Sequence, residues 1–282
     1  MMTHAKKPSE KILFWRPIFL QAGYFIKENP SSWFFGLLLS LPTIAAITLE
    51  SLALESQEID PFLAAPKIMG LFLIILFLFF ISESGLILSF KKTSYSPIEH
   101  LAATGALIRW YFLFLLILLG FFALFFSPFI IAPPETQSAL KYVSTVFFLL
   151  VASAAFILKM LGGFYLILSK LSLKNALQSS ATLFTDHFTR SVTILIITST
   201  LSISVGLVTS VFHDFLSDPI GMVTLANTAI LLFILALSTF FNIFFRTLWY
   251  FFFQAIAAEK PKGWQGEKKM VEESMVPAED EA

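Results

Sequence analysis

The sequence predicts an all-α, polytopic membrane helix bundle: six transmembrane helices, with short interfacial helices on the cytoplasmic side. Three observations carry this. Charge is sparse, apolar runs of spanning length recur, and Lys and Arg gather in alternate connections. Of 282 residues, 57% are hydrophobic and 13% charged, against roughly 25% charged in a soluble domain. So little charge cannot clothe a water-facing surface. The 34 Phe agree, because more rings than one core can hold are tolerated against lipid tails. Zero formal net charge argues against nucleic acid as a partner. With no cysteine, disulfides, thiolate chemistry and Cys-ligated metals are excluded.

Residues 1–32 read as a basic cytoplasmic segment. Its apolar part, from Ile12 to Ile26, is broken by Arg16, Pro17, Gln21 and Gly23 and lacks a small-residue cleavage site, so it is not read as a signal peptide. Residues 16–27 suit a helix lying in the interface, with Asn29-Pro30 bending the chain into the first span. A structural entry helix outweighs a regulatory membrane sensor as its role.

About 20 apolar residues cross about 30 Å of hydrocarbon. Six stretches qualify: 33–54, 68–90, 110–131, 142–169, 191–212 and 222–257, so residues 33–257 form the six-span domain. Pro42 kinks the first, and Glu50 lies near its far end. Pro133-Pro134 ends the third, as neither residue has a backbone N–H to continue a helix. The sixth is long enough to tilt or to project beyond the bilayer. Residues 258–282 are polar and mixed in charge, and are expected to be a disordered cytoplasmic tail.

Apart from Lys67, Lys141 and Lys159, the Lys and Arg, 19 in all, fall in the N-terminal segment, the second and fourth connections, and the C-terminal side. The opposite loops are short and acidic. Positive charge concentrates on the cytoplasmic side, which places both termini in the cytoplasm.

Two blocks look alike. Leu86-Ile87-Leu88-Ser89 and Leu166-Ile167-Leu168-Ser169 end the second and fourth spans, and each precedes a segment opening at a serine, Ser96 or Ser172. Leu101, Leu107 and Phe112 in one block match Leu177, Leu183 and Phe188 in the other. Serine suits a helix N-cap because its hydroxyl accepts from an orphan backbone N–H. Each block would be span, interfacial helix and returning span, a parallel repeat about the membrane normal. Arg16-Pro17-Ile18 beside Ser96-Pro97-Ile98 hints at a third copy split across the termini.

The run from Leu171 through Ser172, Ala176, Leu177, Ser179 and Ser180 to Leu183-Phe184 resembles a segment of six-span bacterial membrane proteins of the YciC type. A related likeness is to the membrane domain attached to some glycerophosphodiester phosphodiesterases. Leu225-Ala226-Asn227-Thr228 leading into Phe245-Arg246-Thr247-Leu248-Trp249-Tyr250 is similar to the last span of the YciC type. The likeness covers most of residues 16–257. It departs where those families often carry Pro-Gly between spans three and four; here Ser127-Pro128-Phe129 and Pro133-Pro134 stand instead. It implies a bacterial cytoplasmic (inner) membrane location and transfers no catalytic residue.

Charges inside spans are costly, about 2.5–3.5 kcal/mol at a helix centre. Glu83 and Lys159 are the two to explain, and their depths let them meet between spans two and four. They either lock helix packing or line a polar cavity. Asn242 and Arg246 share one face of span six, and Arg246 could bind a lipid phosphate or pair with Glu83. Glu83, Lys159, Asn242 and Arg246 are thus the candidate intramembrane polar site. The small hydroxylated residues of span five, from Thr198 to Gly206, suit close helix packing more than a substrate path. His213, Asp214 and Asp218 are placed on an outer loop, too few for a metal. His100 and His187 have no serine or acid arranged to recruit them. No enzyme, cofactor or metal site is expected. The leading reading is a non-catalytic, structural, accessory or lipid-interacting protein, whose expected partners are membrane lipids, with a protein partner or a homo-oligomer as further candidates. The runner-up is a small-solute carrier.

Overall fold

The computed structural model describes residues 10–41, 61–91, 95–127, 134–216 and 225–259. These form eight α-helices and no strand: α1 Glu10–Glu28, α2 Pro30–Leu41, α3 Pro61–Ser89, α4 Pro97–Phe126, α5 Pro134–Leu168, α6 Leu173–Asp186, α7 Phe188–Leu216 and α8 Leu225–Ala258. Five of them (α3, α4, α5, α7 and α8) are long and apolar enough to cross a membrane. The chain is a multi-pass helical membrane protein. The first expected span is represented by α2, and its continuation from Pro42 lies outside the described residues, as does the tail beyond Glu259.

The helices fall into two compact units. Of the described residues, one unit holds those up to Lys91 together with those from Thr198 to Ala258; the other holds Tyr95–Ile197 and Glu259.

In the first unit α1 packs on α8. Ile18, Ala22 and Ile26, one turn apart, form the buried stripe of α1. Trp15 stacks on Phe252 at 5.8 Å, and Phe25 meets both Phe90 and Phe251. Asn29 breaks the helix and Pro30 starts α2, where its missing N–H costs nothing. The Trp33 indole N–H then donates back to the Ile26 carbonyl at 3.0 Å, fixing the bend. Two glycines bring α2 close to its neighbours. A β-carbon on Gly36 would overlap Ile243 of α8, and one on Gly85 of α3 would overlap the Phe35 ring.

In the second unit α5 packs against α4 and α6. The α5 stretch 161–168 is buried throughout, so it is covered on every side. Gly162 faces the Trp110 ring so closely that no β-carbon fits, and the Trp110 N–H donates to the Lys159 carbonyl at 2.9 Å. Ser96 and Ser172 are N-caps, as their position suggested: each has an extended backbone and accepts from the N–H three residues on, Glu99 at 3.1 Å and Asn175 at 3.4 Å. Behind the caps, Leu107 and Leu183 are both buried and Phe112 and Phe188 both exposed. Thr104 and Ser180 are buried too, each hydroxyl returned to its own helix, on the carbonyls of His100 and Leu177.

Several expectations are corrected. The first block has no separate interfacial helix, since α4 runs unbroken from Pro97 to Phe126; only the second block breaks, at His187, between α6 and α7. The reason is local. Thr185, Asp186 and His187 are poor helix formers, whereas Arg109 and Trp110 continue a helix that Trp110 anchors on α5. His213 and Asp214 lie within α7 rather than on a loop, and Asp218 lies outside the described residues. Lys67, expected in a connection, lies inside α3.

Candidate functional site

A polar cluster forms inside the first unit where α2, α3 and α8 meet. The α3 and α8 residues of the cluster come from helices long and apolar enough to span a membrane. Glu83 of α3 is 2% exposed, with Ser82 and Ser84 beside it fully buried. Its carboxylate receives the Arg246 guanidinium of α8, Nη2 to Oε2 at 3.4 Å. Arg246 also reaches back one turn to the side-chain and backbone oxygens of Asn242, both at 3.5 Å. The i, i+4 spacing makes that contact possible.

Asn242 carries the network to α2. Its amide donates to Ser40 Oγ at 3.1 Å, and Thr239 Oγ1 donates to the same oxygen at 3.3 Å. Ser40 in turn donates to the Gly36 carbonyl at 2.9 Å. One hydroxyl thus gives one hydrogen bond and accepts two, its full capacity. Gly36 makes this possible, because its lack of a side chain lets α2 sit against Ile243 and Thr239. Arg246 is less well served. Its contacts lie at 3.4–3.5 Å, and its buried Nε has no hydrogen-bond partner among the described residues. Good N–H···O bonds are nearer 2.9 Å.

Nearer the end of α8, Tyr250 stacks flat on Phe90 at 4.4 Å and donates its hydroxyl to the Phe90 carbonyl. Gln254 donates to the same hydroxyl at 2.5 Å. Aromatic layers thus adjoin the polar cluster on α8.

Three of the four expected site residues, Glu83, Asn242 and Arg246, are brought together. Lys159 belongs to the second unit, where its ammonium stands over the Tyr111 ring at 4.2 Å and the Phe156 ring at 5.0 Å. Glu83 and Lys159, expected to meet, belong to different units. Sequence reasoning missed Ser40 and Thr239.

On the polar side of the second unit, Arg190 holds both Glu259 oxygens at 2.6 Å, and His187 Nδ1 lies 3.8 Å from one of them. Lys170, the one non-glycine residue with positive φ among the described residues (53°), extends to Glu99 at 3.3 Å. Burial pushes the Tyr95 phenol up to about 12, so it stays neutral at physiological pH. None of these groups forms a nucleophile–base pair, and no group of three potential metal ligands occurs among the described residues. No family model, curated protein or solved structure matches the sequence.

Proposed function

We propose that this multi-pass protein is non-catalytic and acts as a structural, accessory or lipid-interacting component of a bacterial cytoplasmic membrane, with six spans and both termini in the cytoplasm. The observation that carries the reading is the enclosure of Glu83. A buried carboxylate paired with arginine and surrounded by self-satisfied hydroxyls is what a packing lock requires. A route for solute would need polar groups continuing across the bilayer. On this reading the exposed Leu and Phe of the long helices face lipid, and the likeness to YciC-type proteins is a likeness of architecture.

One observation favours the alternative, a small-solute carrier. The long contacts and the unsatisfied Nε of Arg246 leave binding capacity in the cluster. Cysteine accessibility separates the two, since the chain has none of its own. Ser40→Cys and Ser82→Cys, each buried, are treated with a membrane-impermeant maleimide beside Lys91→Cys and Lys141→Cys, both exposed. The lock predicts that only the lysine positions react. Reaction at position 40 or 82 would put the cluster in a water-filled cavity and make the carrier the better reading.

A further inference from the structure

Trp15 and Phe25 stand about 15 Å apart along α1 at 1.5 Å per residue, yet their rings meet Phe252 and Phe251, neighbours on α8. Phe19, between them in sequence, meets Phe244. α1 therefore crosses α8 instead of running along it. The crossing falls in the C-terminal half of α8. That helix has 34 residues, about 51 Å in length against about 30 Å of hydrocarbon. Fitting it wholly inside would need a tilt of more than about 50°, beyond the range of about 0–40° that spanning helices adopt. Part of α8 must stand outside the hydrocarbon, and a helix laid across it can lie along the membrane surface.

The outward face of α1 fits that place. Arg16, Leu20, Tyr24 and Lys27 lie on one stripe opposite the buried Ile18, Ala22 and Ile26, and all four are exposed, Leu20 by 51% and Tyr24 by 62%. Two cations thus flank an aliphatic and an aromatic side chain, a pattern that seats a helix among headgroups with its cations toward phosphate. Residues 1–28 add Lys6, Lys7 and Lys11, with Glu10 and Glu28 the only carboxylates. α6 makes the contrast. It too is amphipathic, burying Ala176, Ser180 and Leu183, but it exposes Lys174, Asn175, Gln178, Thr182, Thr185 and Asp186 and no large apolar side chain. A face of that kind suits water.

We propose that the Arg16–Leu20–Tyr24–Lys27 face of α1 is a docking surface for the anionic headgroups of the protein's own bilayer. Anionic surface potential draws clustered Lys and Arg and fades within a Debye length, so the contact weakens in salt. The inference rests on the lipid-interacting reading above and names its lipid class.

The test uses the full chain carrying Gly23→Cys, a position on the same face where a β-carbon meets nothing within 4 Å. An environment-sensitive fluorophore is attached, and the protein is placed in nanodiscs of phosphatidylcholine with or without phosphatidylglycerol. The expected result is a blue-shifted, less quenchable emission with phosphatidylglycerol, reversed by high salt and lost in the Arg16→Gln/Lys27→Gln variant. Emission that ignores phosphatidylglycerol, or a shift that survives removal of both charges, overturns the proposal. So does a shift produced by inorganic phosphate in phosphatidylcholine discs, which would make the face a simple anion site. Because α1 presents these residues outward, the variant should keep its fold, and an unchanged melting midpoint verifies it. An indifferent α1 with unreactive cysteines at 40 and 82 sinks this inference alone; reactive core cysteines sink the lock alone.

Discussion

Glu83 and Lys159 pose the same problem, an ionisable group on a helix long enough to span a membrane, and the two units surround them with different chemistry. Around Glu83 the first unit supplies an arginine and, through Asn242, a chain of hydroxyl and amide hydrogen bonds reaching α2. Around Lys159 the second unit supplies the faces of Tyr111 and Phe156, while the same residue's backbone carbonyl takes the Trp110 N–H. A carboxylate has no aromatic equivalent of this. Ring faces carry negative potential and attract ammonium, so only the cation can be accommodated by apolar residues. The flexible lysine stem also lets its head seek the better environment, which a short, buried glutamate cannot do.

The sharpest way to break the comparison is at Arg246. Replacing it with leucine leaves Glu83 buried without its arginine, a change that typically costs about 3–5 kcal/mol. A correspondingly lower melting midpoint in detergent is expected, with most of the loss regained when Glu83→Gln is added. A loss below about 1 kcal/mol would mean that Arg246 is not what compensates the carboxylate.

On the other side the packing should matter more than the charge. Gly162→Ala drives a methyl into the Trp110 ring and should cost about 1–3 kcal/mol, as overpacked cores do. Gly163→Ala is its control, because a β-carbon there meets only Leu107 at an ordinary 3.9 Å. Equal melting midpoints for the two would show that the Trp110 contact yields easily. The smallest effect is expected from Lys159→Met, below about 1 kcal/mol, since methionine keeps the stem and can contact the same rings through sulfur. A loss matching that of Arg246→Leu would erase the distinction.

What could be read beforehand follows from how loudly each residue departs from its surroundings. Glu83, Asn242 and Arg246 stand out because hydrocarbon tolerates them badly. Ser40 and Thr239 do not, because a helix can satisfy a hydroxyl on its own carbonyl, as Ser40 does on Gly36. Such residues occur in spans whether or not they join a network. Their role depends on which helices come together, which no local pattern encodes. The caps at Ser96 and Ser172 were legible because capping is local. The continuity of α4 was not, since it turns on the Trp110 anchor to a residue far along the chain. The long apolar helices emerged at nearly their full extent, though most run past the apolar stretch that announces them: α5 starts at Pro134 and α7 continues to Leu216.

The hydrogen bond between Asn242 and Ser40 joins residues 202 positions apart, and Glu83 and Arg246 are separated by 163. The first unit is therefore assembled from segments made far apart in time. At roughly 5–20 residues per second, α3 enters the bilayer about 8–30 seconds before Arg246 has been made. Throughout that interval the carboxylate must be tolerated by other means: protonation, delayed lateral release from the insertion machinery, or a temporary companion. The cluster that α2 and α3 begin is thus completed only by α8, and a chain truncated before α8 should be a target for membrane quality control rather than a smaller working protein.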